Sequence, residues 1–304
     1  LLLYSAMMQR SENPNRQGVP MTVFLMILVL LLGAALTLAA CSYAAVCLAV
    51  LRGQNRLLGR ACPGRAVSCL AQGFVTAVVA QLVMFFTCPL GPLLAARRRA
   101  WPPVPGQDTE TTVVCLHGLY HSPAAFLAIR PALIRAGCSR VVVLAYHSFG
   151  TDFEAEAQRL LAALGETVAP DAPVCFLGHS LGGLFARRLA AEPDLGRRTR
   201  GIVTLGTPHR GSALAVLALG RLGRSLRPGS ALLARLATLP DPPDAVCTAI
   251  YSPVDGLVVP DAGLDPGRPG WGHVVTPPVA HVAMLYHPAA IAMAAAAVIE
   301  SVRA

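Results

Sequence analysis

Two hydrophobic regimes divide this chain of 304 residues. In the first, apolar residues continue without a charge from Val23 to Leu51, and again from Ala66 to Ala96. Each run exceeds the roughly 20 residues a helix needs to cross the hydrocarbon of a bilayer. A secretory signal has an apolar centre of only about 7–15 residues, so the first run reads as an uncleaved spanning helix. Leu38-Ala39-Ala40-Cys41 has the form of a lipoprotein cleavage box, but the apolar run continues from Cys41 to Leu51, which argues against cleavage. The second run holds Gln72, Gln81, Pro89 and Pro92, so its helix is expected to end near Cys88. Together the runs predict a transmembrane helical hairpin over residues 23–96. The competing reading is two buried core helices.

After Trp101-Pro102-Pro103-Val104-Pro105-Gly106 the regime changes. That stretch is a stiff, turn-rich linker, taken as 97–110. Beyond it, short apolar stretches alternate with longer amphipathic ones. Strands are predicted at 111–116, 140–145, 173–177, 200–205, 245–251 and 273–276. Helices are predicted at 123–136, 152–168, 181–191 and 288–302. The first opens on Ser122 and Pro123, the second on Thr151 or Asp152. Continuous apolar strands separated by helices make an α/β fold, with a mostly parallel central sheet and helices on both faces. Ligands bind such sheets at the carboxyl ends of the strands. The expected organisation is a tail (1–22), the anchor (23–96), the linker and one domain over 111–304 with an insertion at about 211–240. Met21 opens the first apolar run and is read as a candidate start, with residues 1–20 upstream of it.

Charge sharpens the membrane reading. The net charge is +9, yet residues 1–104 carry nine arginines against Glu12 alone, while the remaining 16 arginines face 15 acids. The early arginines flank apolar runs, as in membrane anchors. A nucleic-acid-binding face would interleave them with aromatics on a folded surface, so no nucleic acid partner is expected. Arg52, Arg56, Arg60 and Arg65 lie at one end of the hairpin, and Arg97-Arg98-Arg99 at the other. Both would be drawn to the cytoplasm, which a hairpin cannot satisfy, so the side holding the domain stays open. The expected location is a bilayer, taken as a bacterial inner membrane. The nine cysteines have no spacing of a zinc site or disulfide framework, and Cys115 and Cys175 read as small core residues.

Chemistry concentrates in Gly178-His179-Ser180-Leu181-Gly182-Gly183, which joins a predicted strand to a predicted helix. A sharp strand-to-helix turn with glycines on either side exposes the serine oxygen at the edge of the sheet. Ser180 is therefore the candidate nucleophile. A serine hydroxyl needs a base, and the base needs an orienting acid. In this architecture acid and histidine follow the serine in chain order. Among Asp241, Asp244, Asp255, Asp261 and Asp265, Asp255 directly follows a predicted strand, with Asp261 in reserve. His281 lies in a loop before the last helix and is the candidate base; His287 beside Pro288 is read as packing, and His273 falls in a strand. Leu181 N–H would be one oxyanion donor. His117-Gly118 ends an early strand, which makes Leu119 N–H the second. A metal cluster of His117, His121 and His179 is the rival reading, but no carboxylate lies near them in sequence, so neither metal nor cofactor is expected.

These residues, with Thr207-Pro208-His209-Arg210-Gly211, resemble the bacterial triacylglycerol lipase and esterase group of the α/β-hydrolase superfamily over about residues 110–302. The resemblance implies an α/β-hydrolase fold and a carboxylester substrate with a fatty acyl chain. It also implies catalysis by Ser180, Asp255 and His281, oxyanion donors at Leu119 and Leu181, and a site lined by His117, Gly118, His179 and His209. Secreted members often hold calcium through an aspartate after the histidine; Val282-Ala283-Met284-Leu285 stands there, so no calcium is expected. The insertion is rich in Leu and Arg and free of acids, which suits either a lid opening toward lipid or an ordinary covering helix. The resulting expectation is a membrane-anchored serine carboxylester hydrolase whose partners are a lipid or other acyl ester and the bilayer. The alternatives are an acyltransferase or thioesterase using the same residues, and a non-catalytic hydrolase-like membrane protein.

Overall fold

The computed structural model describes residues 21–91, 93, 111–149 and 152–304. The expected tail up to residue 20, the linker 97–110 and Thr151 lie outside them. Six strands form one sheet: β1 (Thr112–Leu116), β2 (Arg140–Leu144), β3 (Val174–His179), β4 (Thr199–Leu205), β5 (Val246–Tyr251) and β6 (Gly272–Val275). Their order is β2-β1-β3-β4-β5-β6, and every pairing is parallel. Alternation within the strands sorts the two faces. Val114, Leu116 and Phe176 join one core cluster, while Val113, Cys115, Cys175 and Leu177 join the other.

Helices α5 (Phe153–Thr167) and α6 (Leu181–Ala190) cover the first face through Leu160, Leu164, Leu184 and Phe185. Helices α4 (Ile129–Arg135) and α10 (Pro288–Arg303) cover the second through Ile129, Leu133, Ala294 and Val298. Fully burying one such large side chain contributes about 1.5–3 kcal/mol. The short helix α7 (Pro193–Arg197) leads into β4. The single helix predicted over 123–136 is two pieces, a 3₁₀ turn at Pro123–Phe126 and then α4. Pro131 explains the break. It has no N–H to continue a helix begun at Pro123, but it is tolerated in the first turn of a new one.

The apolar runs fold as α1 (Met21–Leu51) and α3 (Ala66–Thr87), joined through α2 (Arg56–Ala61). Both are long and apolar enough to cross a membrane. The second is not apolar contact on every side. Cys69, Gly73, Ala77, Ala80 and Gln81 form a stripe of mostly small residues buried in the protein. There Cys69, Ala77 and Ala80 share a core with Val254, Val279, Ala280 and Met284 of the sheet domain. The outer faces carry exposed Leu25, Val29, Leu30, Leu36, Val75 and Val79.

The insertion is also broken, into a 3₁₀ turn at Ala213–Leu217, α8 (Gly220–Arg224) and α9 (Ala231–Thr238). Gly220 and Gly229 take the left-handed conformation at the breaks. Leu222, Leu226, Leu232, Leu233 and Leu236 are buried in the first core, whereas Leu217 and Leu219 are exposed.

Candidate active site

The chain reverses at Ser180, between the last residue of β3 and the first of α6, with φ 54° and ψ −122°. Among the described residues only Ser180 and Tyr120 combine a positive φ with a side chain. Such backbone costs about 1–3 kcal/mol and persists only where its surroundings fix it. Here Ser180 N–H donates to Leu205 C=O at 2.8 Å, and its own C=O accepts from Gly183 N–H at 3.0 Å and from Thr207 Oγ1 at 2.9 Å. The glycines make the turn sterically feasible. A methyl at Gly178 would strike the backbone of Gly182 and Gly183, and one at Gly182 the backbone of Leu116 and His117.

Asp255 follows β5 in a tight turn. Its Oδ1 accepts from Leu257 N–H and Val258 N–H, both at 2.9 Å, which aims Oδ2 at His281 Nδ1, 2.7 Å away. Both side chains are almost fully buried. With the carboxylate as acceptor, His281 carries its proton on Nδ1 and leaves Nε2 as a free lone pair. Ser252 Oγ ties the two loops together, accepting from Val254 N–H at 3.2 Å and Val279 N–H at 3.3 Å. Asp261, the reserve acid, instead accepts from Leu57 N–H at 2.5 Å, in the connection between the apolar helices.

The residue before Ser180 reaches the loop of His281. His179 Nε2 donates to His281 C=O at 3.1 Å, and the two rings lie 4.8 Å apart. No hydrogen bond joins Ser180 Oγ to His281 among the described residues. A contact of this kind commonly tightens only when substrate is bound. Gly118 brings the loop after β1 alongside the serine: a methyl there would stand 3.1 Å from Ser180 Cβ and 2.9 Å from His179 Nδ1. The N–H groups of Leu119 and Leu181 donate to no described group. Gly206 was not singled out from sequence. It has φ 56°, and a methyl on it would stand 3.0 Å from His281 Nδ1 and 3.1 Å from Asp255 Oδ2. Its signal was its position, directly after a predicted strand and just before Thr207-Pro208.

His117, His121 and His209 are internal struts. His117 stacks on Tyr146 at 4.2 Å, donates from Nδ1 to Gly118 C=O and accepts at Nε2 from Tyr146 N–H. His121 accepts from Ser122 N–H and bonds the Tyr286 hydroxyl. Burial pushes both down to about 4, so both are neutral at pH 7, and His179 and His209 are lowered further for the same first reason. His209, expected to line the site, has its ring nitrogens engaged inside the fold, by Thr204 Oγ1 at 3.2 Å and Arg187 at 3.3 Å, and it packs edge-on to Trp271. Arg187 lies in α6, almost two turns beyond Ser180, and bonds Leu236 C=O of α9. His209 therefore fastens the insertion to the sheet.

A family model described as the alpha/beta hydrolase family matches residues 113–300. No curated protein matches the sequence. Among solved structures, phospholipase PlaB from Legionella pneumophila is similar over 47% of this chain and 39% of its own, at 17% identity and a TM-score of 0.42. Aspergillus fumigatus lipase B is similar over 62% of this chain and 52% of its own, at 17% identity and a TM-score of 0.52. Paleococcus ferrophilus monoacylglycerol lipase is similar over 65% of this chain and 96% of its own, at 18% identity and a TM-score of 0.49. The chain thus spans less than two thirds of the first two proteins. Likeness at these identities concerns the fold.

Proposed function

The chain belongs to the alpha/beta hydrolase family, and from that premise we propose that it is a serine carboxylester hydrolase acting on acyl esters through an acyl-enzyme. The reading is carried by one observation: a serine held in strained backbone beside a buried Asp255–His281 pair joined at 2.7 Å. His281 Nε2 takes the proton of Ser180 as Oγ attacks the ester carbonyl. Leu119 N–H and Leu181 N–H, both without an acceptor, receive the oxyanion. One such donor is worth about 10²–10³ in rate. The carbon–oxygen bond to the alcohol then breaks as His281 returns the proton to the leaving oxygen. Water repeats the sequence and releases the acid. Asp255 keeps the imidazole in the tautomer that accepts the proton and stabilises its cation.

The same premise extends to substrate and location. Tyr120 stacks on Phe149 at 5.1 Å, and its hydroxyl donates to Leu219 C=O at 2.5 Å. Phe149, Leu217 and Leu219 thus form an exposed apolar rim beside the oxyanion loop. With two apolar helices docked on the domain, this favours a lipid-like acyl ester met at a bilayer, with α1 and α3 as the anchor. The exposed end of the insertion would touch lipid first.

Labelling the detergent-solubilised protein with a fluorophosphonate tests the proposal. A covalent adduct on Ser180, absent in Ser180→Ala, is expected, and a panel of p-nitrophenyl esters then gives the preferred chain length. An unlabelled Ser180 in a folded protein overturns the reading. Product analysis with added alcohol separates hydrolysis from acyl transfer.

A further inference from the structure

The loops bearing Asp255 and His281 are each gripped by a different apolar helix, and in each case at the residue just before the side chain in question. Tyr43, in α1, donates its hydroxyl hydrogen to Val254 C=O at 2.8 Å. Thr76, in α3, accepts from Ala280 N–H at 3.0 Å. The Thr76 hydroxyl donates its own hydrogen back to Gly73 C=O at 2.9 Å, so only its lone pairs are left to face Ala280. The two grips are one assembly. Tyr43 meets Phe74 edge-on at 6.0 Å, and Gly73 is bare because a methyl there would collide with Tyr43 and Val254. Between helices and loops is a cavity of about 20 Å³, room for about one water, lined by Ser42, Gln81, Gly256 and His281 among others.

We propose that the two apolar helices are part of the catalytic scaffold, with Tyr43 and Thr76 as positioning residues that set the Asp255–His281 pair. This rests on the Ser180–Asp255–His281 reading above. Within the sheet domain the two loops meet at the Asp255–His281 contact itself, and behind it Ser252 joins them through two hydrogen bonds longer than 3.1 Å. The helices supply a further, outer connection across the same two loops. A shift of either helix moves the backbone one residue from the acid or from the base. A displacement of about 1 Å in such a group can cost about 10²-fold in rate. Seating of the hairpin and the competence of the base are therefore coupled, and the coupling acts on a water-soluble substrate as much as on a lipid.

The test uses the full chain in detergent micelles with a short, soluble p-nitrophenyl ester. Tyr43→Phe removes one hydroxyl and keeps the ring. Thr76→Val removes the other and keeps the shape, and Thr76→Ser restores it. Tyr43→Phe and Thr76→Val are each expected to lower kcat and the fluorophosphonate labelling rate about 5- to 30-fold, as for one hydrogen bond felt in the transition state. KM stays within about twofold. Thr76→Ser returns both rates to near the wild-type value. Folded Tyr43→Phe and Thr76→Val proteins with wild-type rates overturn the proposal, as does a Thr76→Val loss that Thr76→Ser fails to restore. If one variant does not fold, the other and the serine rescue decide. A wild-type protein that takes no label overturns the Ser180 reading itself, and the positioning role with it; a labelled wild type with unaffected variants overturns the positioning role alone.

Discussion

What bends the chain at Ser180 lies within a few residues of it or on the neighbouring strands, whereas the loops of Asp255 and His281 are held by Tyr43 and Thr76, 211 and 204 residues away from the groups they bond. The serine half is fixed by glycines and by hydrogen bonds to β4 and its following turn. The Asp–His half is fixed by its own turn, by Ser252 and by helices from the other end of the chain. The difference is one of mechanical origin. Strain is stored where the surrounding backbone over-determines it, and the sheet does that for Ser180. A pair of loops at the rim of a sheet has no such frame and acquires one from outside.

Asp255→Asn separates the halves most sharply. The amide can keep its carbonyl toward Leu257 and Val258, so the turn survives, but its nitrogen then faces His281 Nδ1 and favours the wrong tautomer. A fall in kcat of roughly 10³–10⁴ is expected, by analogy with the known cost of that change in a serine–histidine–aspartate site. The thermal midpoint should stay within a few degrees, because nothing around Ser180 depends on the carboxylate. A large loss of stability would show that the halves are not mechanically separate.

Acid should strain both halves together, since His117 sits beneath the serine side and His121 bonds Tyr286 on the other. Each has a folded-state value of about 4, against about 6.5 when unfolded. The unfolded chain thus binds more protons between these values, and stability is complete above about pH 6.5 and falls as the pH drops toward 4. The loss approaches about 3 kcal/mol per histidine at pH 4. Thermal midpoints measured from pH 7 to 4 should decline along this course. Replacing both histidines with Gln should flatten the decline even if it lowers the starting point; an equally steep decline would locate the acid sensitivity elsewhere.

The same contrast explains what the sequence disclosed. The turn at Ser180 is a local event, legible in Gly178, Gly182 and Gly183 and in the strand and helix around them. The sheet was legible because strands buried on both faces are continuously apolar. The break at Pro131 was equally local, and following Pro123 into a single helix overlooked it. The position of His209 could not be read this way, because its partners Arg187 and Trp271 come from distant segments. The docking of α3 on the domain was written only faintly, in the small residues Gly73, Ala77 and Ala80, a pattern that also suits contact between two membrane helices. Hydrophobicity announced the helices without saying what their inner faces would touch.

Gly206 tests whether the outer frame leaves any slack. It sits at the end of β4 with φ 56°, its Cα hydrogens facing His281 Nδ1, Asp255 Oδ2 and the Met284 methyl. In Gly206→Ala the left-handed backbone costs about 1–2 kcal/mol, and the new methyl must push against the pair or against Met284. Met284 ends in a flexible thioether and can yield. The carboxylate and imidazole, held from behind by Tyr43 and Thr76, cannot retreat far. The compression should therefore appear as a fall of about tenfold in kcat with KM nearly unchanged, beside a modest drop in thermal midpoint. If the hairpin grips as described, adding Tyr43→Phe should partly relieve that fall, because a loosened Asp255 loop can move away from the methyl. Strictly multiplicative losses in the double variant would mean that β4 and the hairpin act on the pair independently.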